Sequence, residues 1–214
     1  MTPRVTVVGL GPGDPGLVTA ATLEILRASA HVFLRTGRHP SAHLATGAPT
    51  FDHLYETEDS FADVYARIAE ELVRAASEHG EVVYAVPGSP LVLERTVATL
   101  RTRDDIELMV HPAVSFLDDA WRALGIDPVE SRVRLVDGHE FATAAAGETG
   151  PMLVAHTHAN WVLSDIKLCV EDPVDDSPVV LLHHIGLPDE QVVHTTWSRM
   201  DHTIEADHLT SLWI

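Results

Sequence analysis

One cysteine, Cys169, and one lysine, Lys167, are all that this 214-residue chain holds of either residue. A lone cysteine excludes an internal disulfide framework and any cysteine-based zinc site. Bases of any kind are scarce: 14 Lys and Arg face 32 Asp and Glu, a formal charge of −18. Such a field repels nucleic acid and anionic lipid, which sets both aside as partners. A solvated acidic surface accounts for the charge itself. Apolar runs are short as well. None approaches the roughly 20 residues of a membrane span, and the first is cut by Gly9, Gly11 and Pro12 as no signal peptide is. The expected location is the cytoplasm. Repeats and low-complexity tracts are missing too.

What is present is ordinary for a folded protein: 45% hydrophobic residues and a mean hydropathy of +0.07, in a length that suits one large domain or two small ones. The first half alternates. Val5 to Val8 reads as a buried strand, followed by a helix that starts near Thr19 and turns Leu23 and Leu26 inward. "AHVFLRTG" reads as a second strand. Ser60 and Asp63 resemble a capping box, Val64, Ile68 and Leu72 recur at i+4, and Gly80 stops that helix. "EVVYAV", a helix through Leu100 and "IELMV" complete an alternation typical of buried parallel strands. After a helix opened by Ser115 and ended by Gly125, the pattern changes. "SRVRLVDG", "PMLVAHTH", "PVVLLHHIG", "EQVVHTTW" and "LTSLWI" are strand-like, with few helices between them. The shift predicts two α/β domains, residues 1–112 and 113–214.

The loop "GLGPGDPG" after the first strand offers G-x-G but sets Asp14 where a dinucleotide fold needs its third glycine. Arg35, at the end of the second strand, replaces the acid that would hold a ribose, although an arginine suits the 2′-phosphate of NADP. Pro12 removes an N–H from a loop that would cradle pyrophosphate. No Gly-Lys-Ser/Thr follows, so a P-loop is excluded. An acid beside a phosphate is a poor neighbour, and a cationic or neutral nucleoside ligand ranks ahead of a dinucleotide.

The run G-L-G-P-G-D-P-G-L-V-T closely resembles the opening motif of the tetrapyrrole (corrin/porphyrin) methylase family, and the likeness continues through "VVYAVPGSPLVLERTV", "PAVSFLDDAWRALGIDP", "NWVLSDIKL", "LPDEQVV" and "LTSLWI". "FLRTGRHP", "SFADVYARI" and "VPGSPLVLE" look like the branch often fused to a MazG-type nucleotide pyrophosphohydrolase; the chain stops where the methylase-like fold would end. The resemblance implies two α/β domains with S-adenosylmethionine, or S-adenosylhomocysteine as product, folded into the cleft between them, in a cytoplasmic homodimer. It implies a methyltransferase acting on a small molecule. The alternative of another class is a non-catalytic cofactor- or metabolite-binding module regulating a pyrophosphohydrolase partner.

Carried over by position, the resemblance places Val86, Gly88, Val92, Ser115 and Phe116 on the methionine side of the cofactor, with Pro12 also against it from the glycine loop. Ala155, His156, Gly186, Leu187 and Pro188 fall on the adenine side. The family's Gly-Asp-Pro is here Gly88-Ser89-Pro90, which leaves the role of that acid unfilled. Gly11, Gly13 and Asp14 are expected to wall the acceptor side, with Arg35, Arg38 and His39 on a loop that would hold an anionic acceptor. Asp14 capping a tight turn is the plainer reading of that residue. No catalytic residue is singled out; Asp14, Tyr84 and His111 are the candidates for a general base, should the acceptor have to lose a proton. The fourteen histidines, among them His156-x-His158, His183-His184 and His194, are expected to hold no metal, because no partner cysteine and no His-Glu-x-x-His helix accompany them.

Overall fold

The computed structural model describes residues 2–170 and 177–214. Two compact units divide the chain, Met1–Phe116 and Leu117–Ile214. In the first, β1 (Arg4–Gly9), β2 (Val32–Leu34), β3 (Glu81–Val86) and β4 (Glu107–Val110) form one parallel sheet in the order β2-β3-β1-β4. Its helices are α1 (Ala20–Ala28), α2 (Leu54–Thr57), α3 (Phe61–His79) and α4 (Arg95–Leu100).

Valine-rich β1 and β3 are buried on both faces because helices cover both. On one face Val5, Val7, Val82 and Tyr84 pack against Val64, Ile68 and Leu72 of α3 and Val97 and Leu100 of α4. On the other, Val8, Val83 and Ala85 meet Leu26 of α1, Leu34 and Ala42. The punctuation behaves as its chemistry dictates. Ser60 Oγ accepts from Asp63 N at 3.2 Å and Gly80, at φ +84°, ends α3. Asp63 departs from the full box: its carboxylate accepts from the Ser60 hydroxyl, at 2.6 Å.

The second unit runs through α5 (Phe116–Leu124), β5 (Arg134–Asp137), α6 (Phe141–Ala144), β6 (Met152–Ala155), α7 (Asn160–Leu168), β7 (Pro178–His183), β8 (Gln191–Thr196), α8 (Met200–Thr203) and β9 (Thr210–Trp213). Its sheet is mixed, in the order β5-β6-β9-β7-β8. β5 and β6 are parallel, and β9 lies antiparallel between β6 and β7. The α/β class and the change of pattern between the halves are both realised.

One of the few helices between these strands is "NWVLSDIKL", nine residues long, which the sequence reading did not single out as a helix. Val162, Leu163 and Ile166 make its buried stripe, but Trp161 and Leu168 are exposed and no side chain caps its start, which blurs the 3.6-residue period. Asn160 fastens it, donating to the Asp201 and Ile204 carbonyls at 2.9 and 2.7 Å and accepting from Ala206 N at 2.7 Å. Lys167 Nζ meets both Asp201 carboxylate oxygens, at 2.6 and 2.7 Å. Among the described residues, no helix is long and apolar enough to cross a membrane.

Candidate functional site

Three loops leave the C-terminal ends of β1, β3 and β4, where parallel sheets bind their ligands. The first two are tied together: Gly88 N donates to the Gly11 carbonyl at 2.8 Å, and Leu10 N to the Val86 carbonyl at 2.8 Å. Gly11 and Gly88 are both left-handed, at φ +70° and +63°. At Gly9 the three loops crowd so closely that a Cβ would lie 2.5 Å from the Ala113 methyl and 2.9 Å from Pro90 Cδ. Gly88 is the opposite case. A Cβ there would meet nothing within 4 Å. The loop after β3 therefore presents bare main chain to open space, held by Pro87 and Pro90 and by Ser89 Oγ, which accepts from Leu91 N at 3.3 Å.

Asp14 spends one carboxylate oxygen on the turn itself, accepting from Gly16 N at 2.7 Å. The three basic residues expected on one anion-holding loop point to three different environments. Arg35 ion-pairs with Glu94 at 2.8 Å and donates to Tyr55 Oη at 2.9 Å; its side chain is 22% exposed and that of Glu94 2%. Burial opposes the Arg35 charge, but Glu94 prevails and raises its pKa above the ordinary value. Arg38 stands in solvent, 3.7 Å from Glu56. His39 is buried and faces back toward the glycine loop. Its Nδ1 accepts from Ser41 N at 3.2 Å, and Ser41 Oγ donates to the Gly13 carbonyl at 2.9 Å. Burial lowers the His39 pKa to about 4, the Gly11 and Pro12 backbone opposing it only in part. The ring is therefore neutral, and among the described residues its buried Nε2 has no hydrogen-bond partner.

Tyr84 is a correction. It is fully buried in the face of β3 that packs on α3 and α4, and burial, then the Glu94 charge, push its hydroxyl pKa well up. It cannot serve as a general base. The sequence offered no warning, because a strand buried on both faces shows no alternation.

In the second unit, Ala155 ends β6 and is buried. His156, next to it, is left-handed at φ +59°, with Nδ1 3.1 Å from Asp137 Oδ2. Burial works against the Asp137 charge, but the His139 N–H and His156 hold its carboxyl below the usual range. Gly186, at φ +80°, donates to Glu190 Oε2 at 2.7 Å, and a Cβ there would lie 2.5 Å from Asp119 Oδ2. His184, at φ +52°, sits between two carboxylates, Nδ1 2.5 Å from Asp189 and Nε2 2.7 Å from Asp207. The Asp207 contact, ahead of burial and of Asp189, keeps its pKa raised. Ligand atoms of His183, His184 and Asp207 fall within 4.8 Å of one another.

Among the described residues four non-glycine residues are left-handed: Leu93, Arg132, His156 and His184. Three of the four lie in or beside the segments Val86–Val92, Ala155–His156 and Gly186–Pro188. Strain of this kind gathers at functional sites, and Leu93 and His184 are positions that motif reading alone did not pick out.

Residues 4–201 match the family described as Tetrapyrrole (Corrin/Porphyrin) Methylases. The chain belongs to the tetrapyrrole methylase family. Its similarity to the uroporphyrinogen-III C-methyltransferase of Synechococcus elongatus is 28% identity over 94% of this chain and 86% of that one. It is 31% identical to the uncharacterized protein YabN of Bacillus subtilis, over all of this chain but only 45% of YabN's length. In fold, this methylase-family chain resembles the uroporphyrin-III C-methyltransferase of Thermus thermophilus complexed with S-adenosylhomocysteine, with a TM-score of 0.70 at 20% identity, covering 98% and 96% of the two chains. It also resembles the precorrin-6Y methylase of Archaeoglobus fulgidus, with a TM-score of 0.71 at 19% identity, covering 99% and 97%.

Proposed function

We propose that this chain binds S-adenosylmethionine and transfers its methyl group to a small-molecule acceptor. The observation that carries the reading is the coincidence of family and strain: left-handed backbone and open glycine main chain fall at the segments assigned to the cofactor. The residues present fit such a ligand. Gly88 leaves room for close approach, and the small or apolar Ala155, Gly186 and Leu187 offer an uncharged surface to a neutral adenine edge.

When bound, the cofactor supplies an activated methyl on a sulfonium. What remains for the protein is to align the acceptor and exclude water. In this reading Val86, Gly88, Val92, Ser115 and Phe116 contact the methionine portion, and Ala155, His156, Gly186, Leu187 and Pro188 the nucleoside. Pro12 contributes from the first glycine loop, whose Gly11, Gly13 and Asp14 face the acceptor. The working form is a cytoplasmic homodimer.

Isothermal calorimetry tests the proposal. S-adenosylhomocysteine should bind in the micromolar range, about −8 kcal/mol, and Gly88→Val should abolish that heat. Absence of binding by both S-adenosyl compounds, with NADPH binding instead, overturns it in favour of an oxidoreductase.

A further inference from the structure

His139 and His158 are nineteen positions apart, yet their Nε2 atoms lie 3.2 Å apart. His139 belongs to the turn after β5, Gly138–Glu140, and His158 follows β6. Two imidazoles on one tetrahedral zinc-class ion, at bond lengths near 2.0–2.1 Å, place their nitrogens about 3.3 Å apart. The two rings are inclined by 42°. Their centres lie 5.1 Å apart, closer than two rings set in line through their nitrogens, so both Nε2 lone pairs lean toward a common side where one ion can sit.

The surroundings are built rather than accidental. Asp137 accepts from His139 N through one oxygen, at 3.1 Å, and faces His156 Nδ1 with the other, also at 3.1 Å. One carboxylate thus fixes the turn that carries His139 and orients a third imidazole, whose ring centre is 6.3 Å from that of His139. Trp161 closes one side, 5.9 and 5.6 Å from the His139 and His158 rings. His139 and Trp161 also border a concavity that solvent reaches. The negative charge of the chain raises the local concentration of cations.

The other histidine cluster lacks this geometry. His183 and His184 are stacked 3.9 Å apart with an 18° tilt, and His184 has both nitrogens engaged by carboxylates. Nearly parallel rings cannot direct their lone pairs at one point.

We propose that His139 and His158 form a two-imidazole binding site for a divalent transition-metal ion of the zinc class, water filling its other positions. The ion would pin the Gly138–Glu140 turn to the segment after β6.

Untagged full chain, stripped with EDTA and free of cofactor, is titrated with Zn²⁺ by calorimetry and with Ni²⁺ by tryptophan fluorescence. One ion per chain is expected, with quenching that Trp161→Phe removes. His139→Ala and His158→Ala should each weaken Zn²⁺ binding by at least ~30-fold, and Asp137→Asn by roughly 10-fold. Circular dichroism verifies that each variant is folded, and His139→Gln serves where the alanine variant is not. Binding unchanged in both histidine variants but lost in His184→Ala would move the site to the other cluster and overturn the proposal. No binding at 0.1 mM Zn²⁺ would also overturn it, leaving the pair as an N–H···N hydrogen bond.

Discussion

Ser41 Oγ donates to the Gly13 carbonyl at 2.9 Å, fastening the turn after β2 to the glycine loop after β1. Ser41 is fully buried, so the carbonyl it serves has no water to replace it. Ser41→Ala should lower stability by about 1–2 kcal/mol, read from the urea midpoint. Hydrogen exchange should quicken at the amides of the loop, while those of α3 stay protected.

His39 makes the first unit sensitive to acid. Burial lowers its pKa in the fold to about 4, from the ordinary histidine value of 6.5. Between those limits the unfolded chain binds a proton that the folded chain does not, so stability rises with pH across that window. It is complete above about pH 6.5 and falls progressively toward pH 4, by up to about 3 kcal/mol at ~1.4 kcal/mol per unit. His39→Asn retains an acceptor for Ser41 N without the titration. Urea midpoints at pH 7.5 and 5.0 should therefore differ less in the variant than in the parent. Equal shifts would show that His39 titrates alike in the folded and unfolded chain.

The Arg35–Glu94 pair is a structural element rather than a free cation. Arg35→Met strands the Glu94 carboxylate, which is 2% exposed, and should destabilise by about 3 kcal/mol or more. Arg35→Met combined with Glu94→Gln should lose less than the sum of the single changes, because no uncompensated charge remains. Thermal or urea unfolding of the three variants measures this.

Gly9→Ala and Gly88→Ala are the same substitution with different consequences. At Gly9 the methyl collides with Ala113 and Pro90, and a loss of about 3 kcal/mol is expected from overpacking. At Gly88 it enters open space, and only the left-handed backbone at φ +63° penalises it, by about 1–2 kcal/mol. If the cofactor approaches Gly88, the alanine there should weaken binding of S-adenosylhomocysteine far more than it weakens the fold. Calorimetry beside urea unfolding separates the two.

Local grammar made much of the first unit legible. The valines of β1 and β3, the Ser60 cap, the Val64–Ile68–Leu72 stripe and Gly80 each act within a few residues of their own position. What escaped was set by distant partners. Arg35 looks like a free cation until Glu94, 59 positions away, is brought beside it. His139 was passed over because no second histidine lies near it in sequence, and its neighbour His158 arrives only when β5 and β6 pair. The insertion of β9 between β6 and β7 is likewise a long-range event, and α7 hid because Trp161 and Leu168 break its apolar stripe. The glycine loops were readable as close-approach backbone; that His39 and Ser41 brace the first from beneath was not.

The crowding at Gly9 has a thermodynamic corollary. Loops that share one packed contact cannot open independently, so the rim formed by the strand ends is ordered before any small molecule arrives. A ligand settling beside Gly88 would then surrender little chain entropy on docking, and its affinity would be governed by how slowly it leaves rather than by a folding step on entry.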